Sequence, residues 1–220
     1  MEYQTPKSKC NICQLKFTGR GLTKHIRSCL EKHLLKDGKT KNLFYFQVKD
    51  SFNPDYFLHL LISEDATLGD FDFFLREIWL ECCGHLSAFS HERYGKEIDM
   101  RKKIKDVFSP GMELIHQYDF GSTTELCVSA ICIYHGAIEE GMEIQIIARN
   151  TEPIIPCDEC NENHSVVICT ECAWDEVGWL CDKCAQDHKC GDDMFLPVVN
   201  SPRVGVCAYT GDAEDIYCDY

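Results

Sequence analysis

The sequence predicts an α+β fold, a mixed but mainly antiparallel sheet with two or more helices, flanked at both ends by small metal-stabilised modules. Three observations predict it. Residues 43–48, 56–62, 112–120, 125–134 and 143–148 are rich in aromatic and β-branched side chains and bounded by turn residues, the later ones over short links. Apolar residues at 68, 71, 74, 75 and 78 form a helical stripe within 67–81, and 99–108 reads as a second helix, stopped by Ser109-Pro110-Gly111. Cysteines in Cys-x-x-Cys pairs crowd both ends and are absent from that pattern between them. Strands followed by a helix and then by closely linked strands favour α+β over alternating β-α-β units.

Composition divides the chain into three segments. Residues 1–41 carry ten Lys and Arg against three Asp and Glu, a charge of +7. The rest carries twelve against thirty-three, −21, and the two give the net −14. This basic head, with its lysine-rich end near 36–41, is read as a finger and linker. Residues 42–150 are read as the α+β domain. Residues 151–220, opened by prolines 153 and 156, are read as a cysteine-rich module and tail. Within the first helix, Asp65 or Thr67 is the expected cap. A basic head on an acidic body confines any nucleic-acid contact to the head and excludes a broad phosphate-binding surface elsewhere.

Cysteine accounts for 16 of 220 residues. The polar start of the chain lacks an apolar signal core, and no apolar run is long enough to span a bilayer, so a cytoplasmic protein is expected. In a reducing compartment, paired cysteines point to zinc and not to disulfides.

At the head, Cys10-x2-Cys13-x11-His25-x3-Cys29 offers four ligands close to the spacing of a two-Cys-two-His finger, with Phe17 and Leu22 as its small core and cysteine as the last ligand. The base-reading positions of such a finger fall on Thr18, Gly21 and Lys24, a poor set for bidentate readout. Lys16, Arg20, Lys24, Arg27 and Lys32 remain candidate phosphate contacts, giving weak binding without strong sequence preference.

At the other end, Cys157, Cys160, Cys169, Cys172, Cys181, Cys184, His188 and Cys190 supply eight ligands, enough for two closed zinc sites and, with the finger, three structural Zn2+ ions in all. Two wirings are open. In one the first four ligands hold one ion and the last four the other. In the other, a cross-brace, Cys157, Cys160, Cys181 and Cys184 share one ion and Cys169, Cys172, His188 and Cys190 the second. His164 is an alternative ligand. The pattern resembles the B-box class of cross-braced modules, which implies the brace. Four protein ligands per ion leave no open position, the mark of a structural site. Of the remaining cysteines, Cys127 and Cys132 are expected to be small core residues, and the vicinal Cys82-Cys83 to be buried at a helix end. Cys207 and Cys218 have no expected role.

Three stretches of the middle segment resemble a known family: Asp65-Ala66-Thr67-Leu68-Gly69-Asp70-Phe71, then Gly84-His85-Leu86-Ser87-Ala88-Phe89 with Tyr94 following, then Tyr118-Asp119-Phe120-Gly121-Ser122-Thr123-Thr124-Glu125-Leu126. They are similar to the plasmid pRiA4b ORF-3-like family, also labelled insertion-element passenger resolvase-like, over about residues 42–150. The tail Leu196-Pro197-Val198-Val199-Asn200-Ser201-Pro202-Arg203 resembles zinc-tailed members of the same group. The resemblance implies an α+β domain without a settled activity.

A serine-recombinase reading fails on the scattered arginines 76, 93, 101 and 149. Asp119-Phe120-Gly121 lacks every other kinase element, so it reads as a strand end and turn. Two functions follow. The leading one is a non-enzymatic, zinc-binding interaction protein, an adaptor or regulator. It would bind protein or nucleic acid through residues 1–41 and protein through 151–220. The alternative is an enzyme or small-ligand domain with a pocket formed by His85, Tyr118, Asp119, Ser122 and Glu125.

Overall fold

The apolar runs pair as antiparallel strands, and the computed structural model describes residues 7–18, 21–34, 39–138, 141–175 and 177–211. Every strand pairing among them is antiparallel. The described chain forms two compact units, 1–75 with 86–151, and 76–85 with 152–220. These boundaries differ from the three sequence segments. The finger shares a unit with the sheet, and residues 76–85 belong with the cysteine-rich end.

In the first unit, the hairpin β1 (Lys7–Lys9) and β2 (Lys16–Thr18) leads into helix α1 (Leu22–His33). Gly21 starts the helix with φ 88°, a left-handed conformation that glycine adopts without a Cβ penalty. Strands β3 (Lys41–Asp50) and β4 (Phe57–Ser63) form a hairpin in register from Leu43 opposite Ser63 to Lys49 opposite Phe57. The Asp50 carboxylate turns the chain between them, accepting from the amides of Phe52 at 3.0 Å and Asn53 at 2.5 Å. Alternation then decides what each face meets. Leu43 and Tyr45 on β3, with Phe57 and Leu61 on β4, pack with Leu22, Ile26 and Leu30 of α1. Phe46 points to the other face, against Phe71 and Phe108 at ring separations of 5.3 and 4.8 Å. With both faces covered, β4 is buried throughout.

Helix α2 (Leu68–Leu75) opens with a reciprocal cap: Thr67 Oγ1 accepts from the Asp70 amide at 3.1 Å, and Asp70 Oδ2 accepts from the Thr67 amide at 2.8 Å. Of the two expected caps, Thr67 is used. Strand β5 (Ser87–Ser90), which no sequence pattern announced, pairs with β6 (Glu113–Tyr118). The helix expected at 99–108 is reduced to one turn, α3 (Ile104–Val107). Its first half is held otherwise, because the carbonyls of Met100 and Lys102 accept from the Gly69 and Leu68 amides at the start of α2. Asp99 folds back on its neighbour, bonding the Arg101 amide and guanidinium.

Strands β7 (Thr124–Gly136) and β8 (Ile144–Arg149) complete a six-stranded sheet in the order β5-β6-β7-β3-β4-β8. The exposed edge of β8 is taken up by the finger. Asn11 donates from its amide to Ile147 O at 2.8 Å and from Nδ2 to Ile146 O, and Ser8 Oγ donates to Arg149 O at 2.8 Å. The finger thus covers one face and one edge of the sheet.

The second unit begins with a π-helical turn, Arg76–Leu80, where the expected helix of 67–81 changes pitch. Its small sheet has β9 (Val167–Cys169) between β10 (Trp179–Leu180) and β11 (Phe195–Pro197), with helix α4 (Asp182–Gln186) following β10. Ser201 Oγ donates to Trp79 O at 2.6 Å, joining the tail to the π-helical turn inside this unit. Among the described residues no helix is long and apolar enough to cross a membrane.

Candidate metal centres

Four groups of Cys and His side chains among the described residues could each hold a metal ion, their ligand atoms all lying within 4.8 Å of one another. Tetrahedral zinc with ~2.3 Å bonds to sulfur requires sulfur atoms ~3.8 Å apart. That dimension is the test of fit.

The first group is Cys10, Cys13, His25 and Cys29. Its knuckle closes as the Cys10 amide donates to Leu15 O and the Gln14 amide donates to Cys10 O, with Gln14 at φ 63°. One turn of α1 separates the other two ligands, so they share a face. Cys10 and Cys29 sulfurs are 3.9 Å apart, and His25 Nε2 is 3.2 Å from Cys13 Sγ. Phe17 stacks on the His25 ring at 4.2 Å and fixes its plane.

The cysteine-rich end is wired as a cross-brace. Cys157, Cys160, Cys181 and Cys184 form one group, and Cys169, Cys172, His188 and Cys190 another. The Cys157 knuckle repeats the finger's geometry: the Asn161 amide donates to Cys157 O, and Asn161 lies at φ 56°. Cys160 and Cys181 sulfurs are 3.9 Å apart, and Cys172 and Cys190 sulfurs 3.7 Å. The Glu159 carboxylate accepts from His188 Nδ1 at 3.1 Å, which leaves Nε2 to face Cys172 Sγ at 3.4 Å. His164 is exposed in an isolated bridge to Pro156 and joins neither group. The core around these ligands is Cys157, Cys169, Leu180 and Cys181, so three of its four buried members are ligands themselves. So small a core buries little apolar area of its own, and metal coordination could supply the missing stability.

The thiols respond to this crowding. Amides of Glu162 and Asn163 hydrogen-bond the Cys160 sulfur and bring it down to about 6. Cys172 is pushed up to about 12, first by its hydrogen bond with Cys190 and then by burial. Burial, and then the charge of Cys10, push Cys29 up to about 12. Adjacent thiolates repel one another, and a divalent cation placed between them reverses that repulsion.

The fourth group, Cys82, Cys83, His85 and Cys207, was not foreseen. Cys82 is half-buried and Cys83 exposed, which corrects their expected burial at a helix end. Cys127 and Cys132 lie in β7 as expected and are half-buried; Cys132 packs against the core shared with α1, whereas Cys127 does not join that core.

The expected pocket residues have structural partners. Tyr118 is fully buried. Asp119, at φ 63°, accepts on Oδ1 from the amides of Gly121 at 2.9 Å and Ser122 at 3.2 Å, forming the turn between β6 and β7. Buried Glu125 receives Arg93 Nε at 2.6 Å and Gln117 Nε2 at 3.3 Å. His85 belongs to the second unit, its Nε2 3.0 Å from Cys83 Sγ. Sequence reasoning missed a buried pair in the first unit, His116 Nε2 with Asp72 Oδ1 at 2.7 Å. The alternation of β6 is its only signal, placing residue 116 on the face of Leu114 and Tyr118. Of the candidate phosphate contacts, Lys16, Lys24, Arg27 and Lys32 are exposed, and Arg20 lies outside the described residues. Cys218 also lies outside them.

No protein-family model matches the chain, and no curated protein matches it. Among solved structures, it is similar to the crystal structure of a protein of unknown function, MM3350, from Methanosarcina mazei Go1. That likeness has 18% identity and a TM-score of 0.43, over 54% of this chain and 74% of that one.

Proposed function

We propose that the protein is a zinc-binding, non-enzymatic interaction protein, an adaptor or regulator whose zinc modules meet a protein or nucleic-acid partner. The observation that supports this reading is the donor set. The finger group and the two cross-braced groups each offer four protein ligands, thiolate-rich and closed to substrate, which suits structural Zn2+.

Two exposed surfaces suit partners of different chemistry. On the finger, Lys24, Arg27 and Lys32 stand on the part of α1 turned away from the sheet, with Lys16 exposed on β2. They suit phosphates held without base readout. On the cysteine-rich unit, Trp174 is 86% exposed and Val177 48% exposed, beside the turn at Cys172–Asp175. An exposed tryptophan on a metal-stiffened turn suits an anchor for a protein partner.

The test uses the full zinc-loaded chain. Fluorescence anisotropy with labelled 20-nucleotide DNA and RNA, at two salt concentrations, reads the basic face. Weak binding that falls steeply with salt, and that is lost in Lys24→Glu/Arg27→Glu/Lys32→Glu, supports the nucleic-acid role of the finger. Binding that ignores both salt and these substitutions contradicts it. For the protein role, capture of partners by the wild type should be lost with Trp174→Ala; equal capture by both sinks the Trp174 anchor.

A further inference from the structure

We propose that Cys82, Cys83, His85 and Cys207 form a fourth zinc site, which clamps the tail loop of residues 201–209 to the segment that follows the π-helical turn. It rests on geometry of its own and is independent of the partner reading above.

The dimensions match those of the three groups whose spacing announces zinc. Cys83 Sγ lies 3.6 Å from Cys82 Sγ and 3.5 Å from Cys207 Sγ. His85 Nε2 lies 3.0 Å from Cys83 Sγ and 3.6 Å from Cys207 Sγ. The corresponding sulfur–sulfur distances elsewhere are 3.7–3.9 Å, and the sulfur–nitrogen distances 3.2 and 3.4 Å. Disulfide sulfurs would be ~2.05 Å apart. Three thiolates and one imidazole form the same donor set as the finger, and one that zinc favours.

The backbone is shaped to converge these groups. Gly84, at φ 76°, lets the chain turn between Cys83 and His85. Cys207 itself sits at φ 57°, a strained position for a residue with a Cβ, and Gly205 just before it at φ 76°. The loop is anchored from below: buried Ser201 receives the Arg203 amide at 2.9 Å while donating to Trp79 O.

Charge is compatible with the site. Arg203 is fully buried, and its guanidinium donates to Cys82 Sγ at 3.5 Å. A buried arginine requires negative charge nearby. Zn2+ with three thiolates and a neutral imidazole carries a net −1, which Arg203 offsets; loading neutral thiols releases three protons to solvent. Cys83 and Cys207 are exposed, so this ion is reached by solvent more readily than the other three.

Native mass spectrometry of the full chain tests the proposal. The expected result is four zinc ions per wild-type chain and three in Cys207→Ala, with Cys83 and Cys207 resisting iodoacetamide until a chelator is added. The half-buried Cys127 and Cys132 lie outside the four groups, and their labelling should be the same with and without chelator. Should Cys207→Ala fail to fold, the wild-type count and alkylation pattern decide alone. Three zinc ions with Cys83 and Cys207 freely alkylated, or joined in a disulfide, overturn the fourth site and leave the other three standing. No zinc at all overturns both readings.

Discussion

Leu30→Ala separates a finger bonded into the sheet from one that stands alone. In an independent finger, the residue after the last ligand faces water, and its truncation would change stability by less than ~0.5 kcal/mol. Here Leu30 is fully buried, packed in one core with Ile26, Leu43, Tyr45, Leu61 and Ile147. Truncation removes three carbons, worth ~2.4 kcal/mol at ~0.8 per buried carbon, and the cavity left against the stiff sheet raises the cost to ~3–4 kcal/mol. That lowers the folding equilibrium more than 100-fold and the melting temperature by ~6–16 °C. Thermal and urea unfolding followed by far-UV circular dichroism at saturating zinc reads the change. Lys24→Ala on the exposed side of the same helix serves as the control, with an expected shift within ~0.5 kcal/mol. A Leu30→Ala protein as stable as wild type would refute the shared core.

Burial, and secondarily Lys49, hold His59 down to about 3, with Tyr45 Oη 2.7 Å from its Nδ1. The unfolded chain takes up this proton below ~6.5, so stability from the neutral ring is complete above that pH and drains away as pH falls toward 3. The imidazole signals of His59 in NMR should stay those of the neutral ring to below pH ~4; titration near 6.5 would contradict its burial. Chelator competition should strip the Cys82–Cys83–His85–Cys207 ion before the finger ion, because two of its thiols are exposed and two finger thiols are buried. Loss of the finger ion first, resolved by the timing of alkylation at each cysteine, would reverse that order.

What the sequence made legible was local. Cys-x-x-Cys knuckles announce themselves because two residues between thiolates close one chelate turn, whatever surrounds them. Five of the six strands of the large sheet were legible from β-rich runs bounded by turns, and the short β5 was not. Distant partners were not. Cys207 meets Cys83 across 124 residues, and no spacing rule connects them. The stripe of Ile26, Cys29 and Leu30 was present in the sequence, but nothing local says that a finger helix will spend it on β3 and β4. The 99–108 helix failed for a related reason: its early carbonyls are taken by the amides that open α2, a tertiary bond stronger than local propensity. His116 on β6 and Asp72 on α2 are 44 residues apart, and no local pattern pairs them.

Anomalous diffraction at the zinc edge, from crystals of the full chain grown without added metal, locates any ion held by the Cys/His groups. Four anomalous peaks are expected, one at the centre of each Cys/His group, with sulfur atoms ~2.3 Å from each peak. Absence of peaks at the finger and the two cross-braced groups, with their paired sulfurs joined at ~2.05 Å, would contradict zinc binding there.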